Sequence, residues 1–582
     1  FPWSVIPQPA EMHPAQQGAV MVGDGTRVRV EANGNDGDAL AIVRHFANLV
    51  AATRGLYLRV ETMAESSRAN AVIVFRLDPH ADLAGDAVYR IVIGGGRIEV
   101  TARATRGLFY GSVTAWQLLT PDAGKGAVRV PNGAIVDRPR YAWRGLMLDS
   151  ARHFQSVADI EKLLDWMSLH KLNVLHWHLT DDQGWRLQIP KYPLLTQIGA
   201  CRKAVGPDAA LTGSPDKPYC GFYTDAEVRE IVRYASQRFI EIVPEIDIPG
   251  HAQAAIASYP WLGVTGKRPE VSTDWGINTW LLAPNARTLQ FLDAVFEEVM
   301  ELFPSKYIHI GGDEAAKDQW EASPAVRAHM KKLGLANMEQ LQGWFTTQVA
   351  DYLAKHGRIA VGWDEILHGK VPKSAAVMSW HEPAGALQAL QQGHDVVMAS
   401  SPTLYLDHYQ SGLHDEPPGR PDVESLQGIY DYDPAPKGAT PTQVLHILGV
   451  QANLWTEYMP TFARVQHAVF PRIAALSEVA WSLASAHDWR GFLERMPAEL
   501  SRYRALGIAY ADSAFAPAFT LKPGEDNTIE VALSNQADYG TIRYTSDGGA
   551  PSMESASYSK PLSFPADKTT VMRATTFAPN GF

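Results

Sequence analysis

From residue 144 onward the chain repeats one pattern. A short, nearly continuous apolar run is followed by a loop and then by a stretch with apolar residues three and four apart. Such runs suit strands buried on both faces, and the longer spacing suits helices with one apolar stripe. "RGLMLDSA" (144–151) precedes "VADIEKLLDWMSLHK", and "NVLHWHLTDD" (173–182) precedes "DAEVREIVRYASQRF". "IEIVPEIDIPGH" (240–251) precedes "NARTLQFLDAVFEEVMELF", and "YIHIGGDE" (307–314) precedes "NMEQLQGWFTTQVADYLAKHG". Further apolar runs lie at 359–366, 375–382, 394–407 and 444–457, the last followed by the helical "TFARVQHAVFPRIAALSEVAWS". Eight strand candidates of this kind predict an α/β fold, a (β/α)8 TIM barrel over residues 141–505.

The flanks read differently. Residues 1–140 combine helical stretches at 38–52 and 106–119 with strand-like runs at 71–78, 87–94 and 97–102, which predicts a separate α+β domain. From 510 to 582, short alternating runs such as "TIRYTSDGGAPS" and "TTVMRATTF" predict a small β-rich domain. The chain stops at Phe582 in "APNGF" and starts at Phe1 rather than Met. A trimmed N-terminus, an export signal ahead of it and a longer natural C-terminus are the expectations.

Composition narrows the class. A length of 582 residues requires more than one domain, and 46% apolar with 20% charged residues is a globular balance. The net charge of −11 and the absence of a basic run give no support to nucleic-acid binding. No apolar run approaches the ~20 residues of a membrane span. The two cysteines, Cys201 and Cys220, lie in one Gly/Pro-rich segment. A disulfide there suits an exported protein, and two free thiols suit a cytosolic one.

In a (β/α)8 barrel the chemistry sits at the C-terminal strand ends. Here those ends carry 149–153, 178–182, 247–251, Asp313 and Glu314, 363–365, Trp380, 405–407 and 455–457, nearly all polar or aromatic clusters. Carboxylates with tryptophan suit a sugar, whose C–H faces stack on aromatic rings and whose hydroxyls meet acids and arginine. Each of Trp363, Trp380 and Trp455 taken singly also reads as a barrel-core filler. Asp313 and Glu314 are neighbours, and successive strand residues point to opposite faces. Gly311 and Gly312 before them permit a backbone that lets both acids reach one pocket. Two acids on the same side are poor geometry for the glycosidase pair that flanks a scissile bond. They fit an enzyme in which the substrate's own 2-acetamido oxygen attacks: one acid protonates the leaving oxygen, and the other holds the acetamide.

At this point the motifs matter as a set. "HIGGDE", with "RGLMLDSARHF", "LHWHLTDDQGWR", "VPEIDIPGHA", "GWDEI", "YLDHY" and "GVQANLWTE", resembles the β-N-acetylhexosaminidases of glycoside hydrolase family 20. The resemblance extends to the N-terminal "WSVIPQPAEM" and to the chitobiase-type tail "IRYTSDGGAPS". It implies a retaining exo-enzyme that releases terminal β-linked GlcNAc through an oxazolinium intermediate, with the choice between GlcNAc and GalNAc left open by the spacing. It implies Glu314 as general acid/base and Asp313 as the acetamido partner. His251 and Asp181 form a relay, with Asp182 the competing partner. Tyr405 donates to the acetamide carbonyl, beside Asp407. Arg144 clamps the sugar hydroxyls, Glu457 accepts from them, and Trp363, Trp380 and Trp455 form walls. Where relatives carry another tryptophan, this chain has Tyr432 in "YDYDP". No metal or organic cofactor is implied, and an exported, periplasmic or secreted, location is expected.

Blander readings stand beside these. Asp149 suits a turn cap. His153, His178 and Asp247 suit supporting positions, and Glu365 suits either a distal sugar contact or a solvated loop acid. Two rival functions are a metal-dependent hydrolase built on His176 and His178 with His251 and Asp313, and a non-catalytic carbohydrate-binding protein.

Overall fold

The computed structural model describes residues 3–32, 36–61 and 72–579. Residue 71 of one predicted strand and the terminal 580–582 lie outside them. Eight parallel strands close a barrel in chain order: Trp143–Asp149, Val174–His178, Glu241–Glu245, Tyr307–His309, Ile359–Trp363, Ala376–Ser379, Val396–Met398 and Ile447–Leu454. Seven fall inside the predicted apolar runs, and the first begins one residue ahead of its run, at Trp143. The inward side chains, among them Met147, Val174, Val243, Val361, Met378 and Val397, fill the barrel as one buried cluster.

The helices start where the sequence supplies caps. Ser156 accepts from the Asp159 amide at the head of Val157–Leu169, and Thr224 with Glu227 forms a capping box ahead of Asp225–Ser236. Asn285 and Asn337 cap Ala286–Leu302 and Met338–Lys355 in the same way. Each cap fixes where a loop turns back down the barrel, and so where the preceding strand end opens. The long second loop is closed by a Cys201–Cys220 disulfide between two paired short strands.

The chain divides into two compact units. Arg140–Asp407 with Tyr432–Val465 holds the barrel. The other comprises Phe1–Pro139, His408–Asp431 and Gln466–Phe582. In this second unit a seven-stranded mixed sheet carries the helices Asp36–Arg54 and Thr105–Leu119. The helices Arg472–Trp481 and Trp489–Ala505 belong to the same unit, although their sequence continues the barrel series. Their buried polar groups explain it. Arg495 donates to the Val5 carbonyl at 2.7 Å, Arg502 to that of Ser4 at 2.7 Å, and the Trp481 indole to Asp137 at 3.0 Å. The tail from Ala518 forms two three-stranded antiparallel sheets. No helix among the described residues is long and apolar enough to cross a membrane.

Candidate active site

Asp313 and Glu314 leave the fourth strand through two glycines that only glycine satisfies. Gly311 and Gly312 have φ of 63° and 113°, and a Cβ on them would fall 1.7 Å from Asp247 Oδ1 and 2.7 Å from Ile366. The turn is pinned by Asp247, which accepts from the Gly312 amide at 3.2 Å, and by Gln342, which donates to the Gly312 carbonyl at 2.6 Å. Glu314 itself is left-handed at φ 45°, as is His251 at 48°. For a residue with a side chain such a backbone costs about 1–3 kcal/mol and persists where the surroundings enforce it. The result is that both adjacent acids face His251. Its Nε2 lies 3.5 Å from Asp313 Oδ2 and 3.6 Å from Glu314 Oε2. The Asp313 side chain is 11% exposed and that of Glu314 35%, so Glu314 is the one open to an incoming group.

Behind His251 stands a line of charges. His251 Nδ1 is 3.0 Å from Asp181 Oδ1 and 3.7 Å from Asp182, so Asp181 is the nearer partner. Asp181 also receives Arg152 at 2.9 Å and His178 Nε2 at 2.8 Å. These cations outweigh its burial and hold its carboxyl far below the usual range. Asp182, without that support, is pushed up to about 6 by burial and by Asp181. Although burial opposes the charged form, Asp181 and Asp313 hold His251 well above the ordinary imidazole value. Asp247 is raised well above the carboxylate range by burial and by Asp313.

The aromatic strand ends form the walls. Trp363 and Trp455 lie 5.9 Å apart, Tyr405 and Trp455 6.4 Å apart, and Tyr405 stacks towards Trp380 at 6.3 Å. Trp363 is fully buried and is both wall and core, its indole donating to Glu245 at 3.0 Å. Trp380 donates to Glu365 at 3.1 Å, and its backbone amide to Asp364 at 3.2 Å. Tyr405 is held by a bridge to Asn453, and Asp407 and Glu457 are buried at the neighbouring strand ends. Tyr432 is fixed by its hydroxyl, which donates to Glu382 at 2.6 Å.

One predicted residue is elsewhere. Arg144 is the second residue of the first strand, at the end opposite the acids, and donates to the carbonyls of Lys171 and Tyr141, both at 2.8 Å. The arginine at the site is Arg152, eight residues later. Besides Asp181 it binds Gln183 at 3.0 Å and lies 5.1 Å above the Trp455 ring, where Glu457 adds to the negative field around it. The supporting readings are also resolved. Asp149 accepts from the amides of Ala151, Arg152 and Thr456, a turn clamp, and His153 is tied to Asp208 at 3.1 Å. Of His176 and His178, the pair a metal-dependent reading needs, His178 bonds Glu245 and His176 Nε2 lies 3.0 Å from it.

Glu365 belongs to the site and not to solvent. Burial, Asp313 and Asp364 push its carboxyl up to about 8. Folding therefore binds a proton that the unfolded chain, near ~4.3, releases. The folded state loses stability as pH rises from the unfolded value towards the folded one. Glu365→Gln removes that loss, and its amide oxygen still accepts from Trp380. The variant should melt higher than the parent at neutral pH and equal it near pH ~4. Melting curves that differ equally at both pH values would contradict this.

Comparison with known proteins places this geometry. Residues 141–484 match the glycosyl hydrolase family 20 catalytic domain, 3–138 that family's domain 2, and 521–581 the chitobiase/beta-hexosaminidase C-terminal domain. A beta-hexosaminidase of Porphyromonas gingivalis is 35% identical over 573 residues, 96% of this chain and 71% of the relative. One from Vibrio furnissii is 36% identical over 416 residues, 70% of this chain and 67% of the relative. Among solved structures, the Vibrio harveyi exo beta-N-acetylglucosaminidase in complex with N-acetylglucosamine matches with a TM-score of 0.77 at 31% identity, covering 88% of this chain and 79% of that one. Streptomyces plicatus N-acetyl-beta-hexosaminidase in complex with Thio-NAglucal gives 0.76 at 32%, covering 88% and 97%. With a catalytic-domain match that spans more than half its length, the chain belongs to glycosyl hydrolase family 20, the β-N-acetylhexosaminidases.

Proposed function

We propose that the chain is a retaining exo-enzyme that releases terminal, non-reducing β-linked GlcNAc by substrate assistance. The observation that carries this reading is the acid pair. Asp313 and Glu314 are chain neighbours and both lie against the same nitrogen of His251, which suits a division of labour in which neither is the nucleophile. The 2-acetamido oxygen of the substrate supplies the attack instead. Its bond to the anomeric carbon forms as the glycosidic bond breaks, giving an oxazolinium ion. Glu314 gives its proton to the leaving oxygen. Asp313 accepts from the acetamide N–H and stabilises the positive charge that develops there. Tyr405 donates to the acetamide oxygen and holds it below the anomeric carbon. Trp363, Trp380 and Trp455 enclose the ring and the methyl group, and Arg152 and Glu457 take the hydroxyls. Glu314, now a carboxylate, then takes a proton from water, which opens the oxazolinium ion.

The Vibrio harveyi relative's complex with N-acetylglucosamine supports the choice of sugar. The Cys201–Cys220 disulfide supports work in an exported, oxidising setting. Two displacements at one carbon retain configuration. Proton NMR of an aryl β-GlcNAc glycoside during hydrolysis should therefore show the β-anomer of GlcNAc first. Initial release of the α-anomer would rule out an internal nucleophile.

A further inference from the structure

Beneath the pocket floor the barrel encloses Glu245, a carboxylate with no exposed surface. Groups from three other strands converge on it. His176 Nε2 lies 3.0 Å from Oε2, and His178 Nδ1 bonds the same oxygen. His309 Nδ1 lies 2.9 Å from Oε1 and accepts from the Gly311 amide at 3.1 Å, while Oε1 receives the Trp363 indole at 3.0 Å. A carboxylate this deep survives only with such pairing.

The two imidazoles of the second strand are not equivalent. His176 has Gln451 Nε2 donating to its Nδ1 at 3.0 Å, which leaves one ring N–H, on the nitrogen facing Glu245. That is a neutral ring. His178 stands between two carboxylates, Glu245 at Nδ1 and Asp181 at Nε2 (2.8 Å). Both nitrogens must donate, so the ring is an imidazolium. One step on, His251 bonds Asp181 through Nδ1 at 3.0 Å and brings Nε2 to 3.5–3.6 Å from the acid pair, and Asp181 and Asp313 hold it well above the ordinary imidazole value against its burial. Opposite charges therefore alternate along one line from the barrel core, Glu245, His178, Asp181 and His251, and the line ends at the acid pair Asp313 and Glu314. Burial and the neighbouring His309 push His176 down to about 4, while Glu245 and Asp181 hold His178 well above its ordinary value, which agrees with the bonding.

We infer that Glu245 is a positioning residue of the reaction: through His178 it fixes the charge set against Asp181 and His251, and with its other oxygen it fastens the Trp363 wall. This rests on the role of Glu314 proposed above. The groups that face this line are few. Around Glu245 they are His176, His178, His309 and Asp247; around His178 and Asp181, Arg152, His251, Asp182 and Asp247; around His251, Asp181, Asp182, Asp247, Asp313 and Glu314.

The signs of two substitutions follow. Glu314 must carry its proton to act as acid, and positive charge on the line favours losing it. Glu245→Gln removes a negative charge while keeping an acceptor for Trp363. The basic limb of kcat/KM against pH should fall by about 0.5–1 unit, with KM held within about threefold. His178→Gln removes a positive charge, and the limb should rise by a similar amount. The double variant should return towards the parent. Limbs that stay in place, or that move the same way in both variants, would overturn the inference and reduce Glu245 to packing. A second measurement needs neither turnover nor a folded Glu245 variant. Nitrogen-15 NMR of the intact parent, with His178 assigned by its loss in His178→Gln, should show both its nitrogens protonated from about pH 5 to 8. A neutral His178 in that range would overturn the inference. Absence of aryl β-GlcNAc hydrolysis by the parent enzyme would instead strike the proposed function.

Discussion

Asp313→Asn should lower kcat on an aryl β-GlcNAc glycoside by about 10²–10³-fold, with a much smaller change in KM. Asparagine keeps the size and one acceptor oxygen but loses the negative charge. That charge matters little to the resting amide of the substrate and greatly to the oxazolinium ion, so the loss falls on the transition state. The surroundings of Asp313 make the effect separable from damage to the fold. It is crowded by other carboxyls: it raises both Asp247 and Glu365. Removing its charge relieves that crowding, so the variant should melt no lower than the parent while turning over far more slowly. Initial rates and a melting curve on one preparation test both halves. A change in KM alone would assign Asp313 to binding, and a lower melting temperature would mean that its contacts are chiefly structural.

Glu314→Gln should discriminate between leaving groups. A poor leaving group, such as the second sugar of a disaccharide, needs the proton, and its loss should cost about 10²–10⁴-fold in kcat. An activated aryl group departs with little protonation and should suffer far less in the first step. The position of Glu314 supports this separation. It is the exposed member of the pair, held in a left-handed backbone against His251. Equal losses on both substrates would assign Glu314 to something other than proton donation.

The barrel was legible because its strands are buried on both sides and so read as unbroken apolar runs between capped helices. The site was legible for a related reason. In this fold the C-terminal strand ends are where the chemistry sits, and Asp313, Glu314, Trp363, Trp380, Tyr405 and Trp455 all sit at such ends, the aromatic ones packing on the barrel core as well. Gly311 and Gly312 marked the turn, and a Cβ at either would collide with Asp247 or Ile366.

The arginine beside the acids is Arg152 and not the Arg144 that the motif predicts. "RGLMLDSARHF" holds Arg144 and Arg152 at opposite ends of the first strand, and the strand-end rule itself selects the second. Glu245 is not legible in the sequence because its neighbours come from the second, fourth and fifth strands. No local spacing announces a charge network assembled across a barrel. An acid inside a buried strand was the one available sign, since such a charge must be paired. Glu365 was similarly ambiguous. Its burial depends on Trp380 and on the packing beside Asp313, which are contacts between different strand ends. The terminal helices read as barrel helices from periodicity alone. Their buried arginines, Arg495 and Arg502, find acceptors in the N-terminal segment, which the chain order does not disclose.

The central claim is that the substrate supplies the nucleophile. The most direct test compares aryl release from a β-GlcNAc glycoside with release from the matching β-glucoside. The leaving group is the same, and only the acetamide differs. Substrate assistance predicts that the glucoside is slower by several orders of magnitude. Comparable rates would contradict it, because the pocket would then have to hold a protein nucleophile other than Asp313 and Glu314.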